Sequence, residues 1–180
     1  GAAASLADDL SVGVHIHVAE GPDDADAAAR VAHLSTDDWL VIHGVHLADD
    51  HGVLGTVVHN PRSNMNNAVG YARPVRFTNP VALGTDGIGA DMLDEFRVAY
   101  ARLRESDVTE TPATAWSWVE TGWVLFPEAL ADTVTWSYDG ADDPWRLAFT
   151  TGVRAIDVDI DGEPALRSCI ATRVDADAIR

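Results

Sequence analysis

Histidine and carboxylate side chains in the first half of the chain have the types and spacing needed for metal-assisted hydrolysis. All seven histidines lie between His15 and His59. In the run HIHVAE, Glu20 follows His17 by three residues, and a further imidazole, His43, begins the segment HGVHL. A histidine nitrogen can bind a divalent metal, and a neighbouring carboxylate can carry a proton between water and a leaving group. Taken singly, each also fits a histidine at a strand end or in the core, beside a solvated glutamate.

Two further polar segments follow predicted strands. Asp86, in LGTDG, is flanked by glycines that allow close backbone approach, which suits a metal ligand that also accepts a proton. It would equally suit the cap of a following turn. The segment HNPRSN is open to two interpretations, an Asx-turn loop or a lip that hydrogen-bonds a substrate. Its candidate substrate contacts are His59, Asn60, Ser63 and Asn64.

Strands that alternate with helices must position these side chains. Short β-branched runs predict strands at residues 12–18, 39–43, 55–59 and 80–85, with helices at 23–34 and 91–104. Residues 47–54 are predicted to form a short helix or turn, and residues 60–71 a polar loop. The spacing is comparable with the roughly 30 residues of one βα unit in a parallel barrel. We therefore predict four consecutive units, each with a polar side chain at the carboxyl end of its strand.

The pattern changes after residue 106. Residues 109–127 are rich in tryptophan and fit neither period. Alternation at residues 156–160, followed by Asp161-Gly162, predicts a hairpin with residues 164–170 in a small β appendage.

In their order along the chain, these segments resemble the amidohydrolase superfamily. The matching motifs are HIHVAEG, HGVHL, VVHNPRSNMNNAVGYA and VALGTDGIGADM, and a weaker match follows at EALADTVTWSYDG. The resemblance is to the branch of cytosine, guanine and S-adenosylhomocysteine deaminases and triazine hydrolases, and most of all to the SsnA-type aminohydrolases and chlorohydrolases. It implies an α/β fold: the C-terminal half of a (β/α)8 metal-dependent hydrolase barrel, strands 5–8, over residues 1–127. A small β-sandwich appendage would follow over residues 128–180.

The resemblance also implies roles for individual residues. His17 and Asp86 would bind one divalent metal ion, with zinc favoured over iron. Glu20, His43 and Asp86 would be catalytic, and the four residues of the HNPRSN segment named above would bind substrate. The implied reaction is hydrolysis of a C–N bond other than a peptide bond, deaminating a heterocyclic amidine such as a purine, pyrimidine or triazine. The alternative within the family is dechlorination of a halogenated heterocycle.

One motif of the family is not matched. The family has an HxH pair on strand 1, whereas His15 and His17 are followed too closely by His43 to be that pair. An inactive fragment lacking these ligands is therefore a second alternative, and we expect His15 to pack in the barrel or support the site.

Composition restricts the partners. The formal net charge of -17 argues against nucleic acid and anionic membranes as partners. The partner that the resemblance implies is a small heterocyclic substrate, and a homo-oligomer stays open. Cys169 is the only cysteine, which fits a reducing cytoplasm. No apolar run reaches the roughly 20 residues of a membrane span, and the first ten residues do not have the pattern of a signal peptide.

Overall fold

The computed structural model describes residues 1–89, 91–127, 158–160 and 163–165. The chain divides into two compact units, residues Gly1–Gly84 and Thr85–Arg180, which are taken separately below. None of the helices in these ranges is both long and apolar enough to cross a membrane.

A four-stranded parallel sheet forms the centre of the first unit. Its strands lie side by side in chain order and are β1 (His15–Val18), β2 (Leu40–His43), β3 (Thr56–His59) and β4 (Val81–Leu83). All four predicted strands are confirmed, each shorter than predicted. Parallel pairing requires crossover connections, which the intervening helices and turns provide.

The sheet is covered on one face by an apolar core. Val41 and Val57, on adjacent strands, are fully buried and pack with the other members of one cluster. These other members are Val18, Ala19, Ala27, Trp39, Leu47 and Val53. The near-continuous apolar composition of β2 and β3 is typical of parallel strands that are buried on both faces.

Three short helices belong to the first unit; the first was not predicted, and the other two differ from prediction. They are α1 (Ala2–Leu10), α2 (Ala27–Val31) and α3 (Pro61–Asn66). The helix predicted at residues 23–34 is divided into a 3-10 turn, Pro22–Asp24, and α2. The predicted loop after β3 contains α3, which begins with Pro61. Proline is favourable in a first helical turn because its φ is already helical and because a backbone N–H at that position would have no partner in the helix.

In the second unit, two helices and a hairpin are described. Helix α4 (Met92–Ser106) confirms the prediction, and the Asp91 carboxylate caps it by accepting hydrogen bonds from the Leu93 and Asp94 amides. The tryptophan-rich segment forms α5 (Pro112–Leu125), and the Trp116 ring packs edge-on against Phe96 at 5.2 Å.

Strands β5 (Val158–Ile160) and β6 (Glu163–Ala165) pair antiparallel, as the Asp-Gly signal predicts. The rest of the predicted β appendage lies outside the described residues.

Candidate metal centre

Three side chains from the first two strands converge at the carboxyl end of the sheet. His17 is in β1, Glu20 follows that strand, and His43 ends β2. His43 Nε2 lies 3.1 Å from His17 Nδ1 and 3.4 Å from Glu20 Oε2, and the same Glu20 oxygen lies 3.6 Å from His17 Nδ1. Within the described part of the chain, these residues form a group whose ligand atoms could hold one metal ion.

The spacing of the three atoms fits a metal ion. Two atoms that are each about 2.0–2.1 Å from a tetrahedral metal lie about 3.3 Å from one another. The observed separations of 3.1, 3.4 and 3.6 Å bracket that value. His17 is 53% exposed while His43 is fully buried, so the cluster opens to solvent on one side.

The backbone at His43 departs from strand geometry. In the pairing of β1 with β2, Val18 lies opposite His43 and His17 lies opposite Ile42. Alternate residues of a strand point to opposite faces, so regular geometry would place His43 on the face of Val18 and not that of His17. His43 instead has a left-handed φ of 71°, rare for a residue with a side chain, and this breaks the alternation.

The His43 imidazole is held on its far side by a buried amide. Its Nδ1 lies 2.8 Å from Asn64 Oδ1 and 3.4 Å from Asn60 Nδ2. Histidines that bind metals usually donate their second ring N–H to such an oxygen.

The loop that carries Glu20 is fixed through its neighbour. Ala19, with a φ of 51°, donates its amide to Asp24 Oδ2 at 2.8 Å and accepts a hydrogen bond from the His46 amide at 2.9 Å. Arg30 forms ion pairs with Asp24 and with Asp26. The hydrogen bond to Asp24 raises the pKa of the Arg30 guanidinium most, and the hydrogen bond to Asp26 raises it further.

Asp24→Ala is therefore expected to loosen the Glu20 loop, because the strained Ala19 amide loses its acceptor. Hydrogen exchange at the Ala19 amide should become at least about tenfold faster, in line with loss of about 1.5 kcal/mol. Asp26→Ala is the matched control, since it removes an ion pair of the same arginine without touching Ala19. Equal acceleration in both variants would assign the effect to Arg30 instead.

The remaining predicted site residues lie in two places. Asp86 is the second residue of the second unit, has a φ of 52°, and accepts a hydrogen bond from the Gly87 amide on Oδ1 at 2.7 Å. His59, Asn60, Ser63 and Asn64 are each at most 1% exposed, below the surface and not on an open lip. The His59 ring packs edge-on against Tyr71 at 5.8 Å. His15 shares the face of His17, 6.2 Å away between ring centroids, but it is exposed and not packed in a core.

No protein-family model matches the chain. Three curated relatives, however, are named deaminases. Each is called 5-methylthioadenosine/S-adenosylhomocysteine deaminase. The protein from Syntrophomonas wolfei is 37% identical over 116 residues, covering 51% of this chain and 27% of that protein. The one from Shouchella clausii is 32% identical over 95 residues, covering 46% and 22%. The one from Thermococcus onnurineus is 38% identical over 84 residues, covering 43% and 19%.

The chain thus spans between 19% and 27% of the length of these curated relatives. The similarity supports the resemblance to hydrolytic deaminases and leaves the SsnA-type branch as a prediction.

Proposed function

We propose that this chain carries part of the active site of a metal-dependent hydrolase that deaminates a heterocyclic amidine. The observation that carries the proposal is the cluster of His17, Glu20 and His43 at the carboxyl ends of adjacent parallel strands. Enzymes built on parallel α/β sheets place their ligand and catalytic groups at that end. The deaminase names of three partial relatives support the reaction class.

His17 and Asp86 are the proposed ligands of one divalent ion, with zinc favoured. When bound, such an ion would act as a Lewis acid and make water a competent nucleophile at neutral pH. Imidazole and carboxylate are ligands that zinc accepts readily. The separations within the cluster described above leave room for an ion beside His17, with Glu20 and His43 next to it.

The protein's own residues would then move protons. Asp86 accepts a proton from the attacking water while the water oxygen forms a bond to the ring carbon. Glu20 donates a proton to the amine nitrogen as the C–N bond breaks, so that ammonia leaves. His43 faces the reacting group with Nε2. Glu20 is suited to its role because its carboxylate is partly exposed and its loop is fixed through Ala19 and Asp24.

We propose in addition that the chain has the architecture of half a barrel followed by a β-sandwich segment. The parallel sheet is compatible with strands 5–8 of a (β/α)8 barrel, with the barrel portion at residues 1–127 and a β-sandwich segment at 128–180. The four residues of the HNPRSN segment are proposed to contribute to the substrate pocket: His59, Asn60, Ser63 and Asn64.

Product analysis tests the proposal. We expect the full-length protein, loaded with zinc, to release ammonia from an amino-substituted purine, pyrimidine or triazine, among which adenine nucleosides are the first to try. Chloro-substituted analogues of the same rings serve as controls and should release chloride more slowly. Chloride release that outpaces ammonia release on matched rings would replace deamination with dechlorination, and neither product from any ring would contradict the proposal.

A further inference from the structure

The His43 ring is held between two different environments. At one end, Nδ1 lies 2.8 Å from Asn64 Oδ1. At the other end, Nε2 lies 3.1 Å from His17 Nδ1 and 3.4 Å from Glu20 Oε2. His43 is 0% and Asn64 1% exposed, so water does not compete for the contact between them.

The chemistry of these contacts determines where the proton lies. A neutral imidazole carries one proton, on either nitrogen, and an amide oxygen can only accept. Acceptor oxygens face both nitrogens, but Asn64 Oδ1 lies 2.8 Å from Nδ1, whereas Glu20 Oε2 lies 3.4 Å from Nε2. The shorter contact favours the proton on Nδ1 and leaves a lone pair on Nε2. Asn60 Nδ2, a donor, would favour the opposite tautomer, but its 3.4 Å separation is longer than a normal hydrogen bond.

Stability alone does not explain Asn64. Its Nδ2 is buried and has no hydrogen-bond partner among the described residues. The contact of its Oδ1 with His43 is therefore accompanied by an unsatisfied donor on the same side chain. Burial of a polar group without a partner is unfavourable, and an apolar side chain of similar size would avoid it. Among the described residues, the side-chain amide of Asn64 makes its hydrogen bond through its oxygen, to the His43 imidazole.

We infer that Asn64 is a positioning residue that fixes the Nδ1–H tautomer of His43 and so presents the Nε2 lone pair to His17 and Glu20. Helix α3 begins two residues after the end of β3, and its fourth residue, Asn64, contacts the imidazole. In the other tautomer an N–H would point into the cluster, where an acceptor for water protons or a metal ligand is needed. That consequence rests on the proposed function, whereas the tautomer itself does not.

Nitrogen-15 NMR of the histidine rings in the metal-free chain tests the inference without relying on activity. We expect the proton of His43 on Nδ1 in the unmodified protein. Asn64→Leu should move it to Nε2, while Asn64→Asp, which keeps an acceptor, should retain it on Nδ1. Asn60→Leu is the matched control and should also retain it there.

A proton on Nε2 in the unmodified chain would overturn the inference even if Asn64→Leu fails to fold. A folded Asn64→Leu variant with its proton still on Nδ1 would do the same.

A kinetic comparison separates this inference from the proposed function. In the full-length protein, Asn64→Leu should lower kcat by about 10- to 100-fold, as for other residues that orient a site histidine, with KM changed less than about threefold. Asn64→Asp should restore most of the loss. Absence of deaminase activity in the unmodified protein would contradict the proposed function and leave the tautomer result standing. Activity that does not change with Asn64→Leu would contradict only the role of Asn64.

Discussion

Glu20→Gln is expected to lower kcat for ammonia release by about 10²- to 10⁴-fold, the usual contribution of a general acid or base. Glutamine has nearly the same shape but cannot donate the proton that the leaving amine needs. Because Glu20 lies at the edge of the cluster and is partly exposed, the substitution should not disturb the fold. The measurement is steady-state ammonia release by the full-length protein, with the zinc content of each preparation determined in parallel.

Asp23→Asn provides the control for that experiment. Asp23 is an exposed acid three residues further along, and it is not one of the residues of the cluster. Its substitution should change kcat less than about twofold, as for an ordinary surface position. If Glu20→Gln kept more than half of the activity at full zinc content, Glu20 would not be the proton donor.

His17→Ala is expected to weaken zinc binding by at least about 100-fold, beyond the 10- to 100-fold typical of a residue that only supports a ligand. The imidazole is a direct ligand in the proposed site, and alanine offers no replacement. Competition with a chromogenic chelator measures the affinity. His17 is half exposed, so the loss of packing is small and the variant should stay folded.

The chain offers a close control for His17 in the same strand. His15 lies two residues earlier on the same face, is exposed, and stacks on the His17 ring, but it is not one of the clustered residues. His15→Ala should retain zinc affinity within about threefold. Equal losses in both variants would indicate that His15 is itself a ligand, or that binding at this end of the sheet is nonspecific.

The sheet and the residues of the cluster were accessible from the sequence because they depend on short-range patterns. Runs such as VVH and WLVIH are β-branched and apolar, which favours buried parallel strands. The carboxyl ends of parallel strands meet at one edge, so the strand assignment placed His17 and His43 at the same edge of the sheet. The contact between their rings depends in addition on the left-handed φ of His43. The spacing of Glu20 from His17 gave its position in the loop.

Other features depend on contacts that a sequence does not display. The left-handed φ of His43 and Ala19 is unfavourable for residues with a side chain. At Ala19 it is accompanied by a hydrogen bond from the amide to Asp24 and one to the carbonyl from the His46 amide. Nothing in the local sequence distinguishes Asp24 from the exposed acids beside it. The pairing of Asn64 with His43 joins residues 21 positions apart, so the sequence predicted Asn64 as a substrate contact and not as a partner of His43.

Helix α5 was missed for a different reason. Its tryptophans and threonines have modest helix propensity, and its apolar residues do not follow a single stripe. Packing of Trp116 against Phe96 and Trp123 accompanies the helix. Pro112 in its first turn was the one local signal of a helix start.

The most direct test of the central claim is a crystal structure of the protein grown with zinc, with anomalous differences recorded at the zinc edge. We predict a single strong peak about 2.0–2.2 Å from a ring nitrogen of His17, next to Glu20 and His43. A zinc-replete protein whose anomalous peaks all lie away from His17 would contradict the assignment of this cluster as a metal centre.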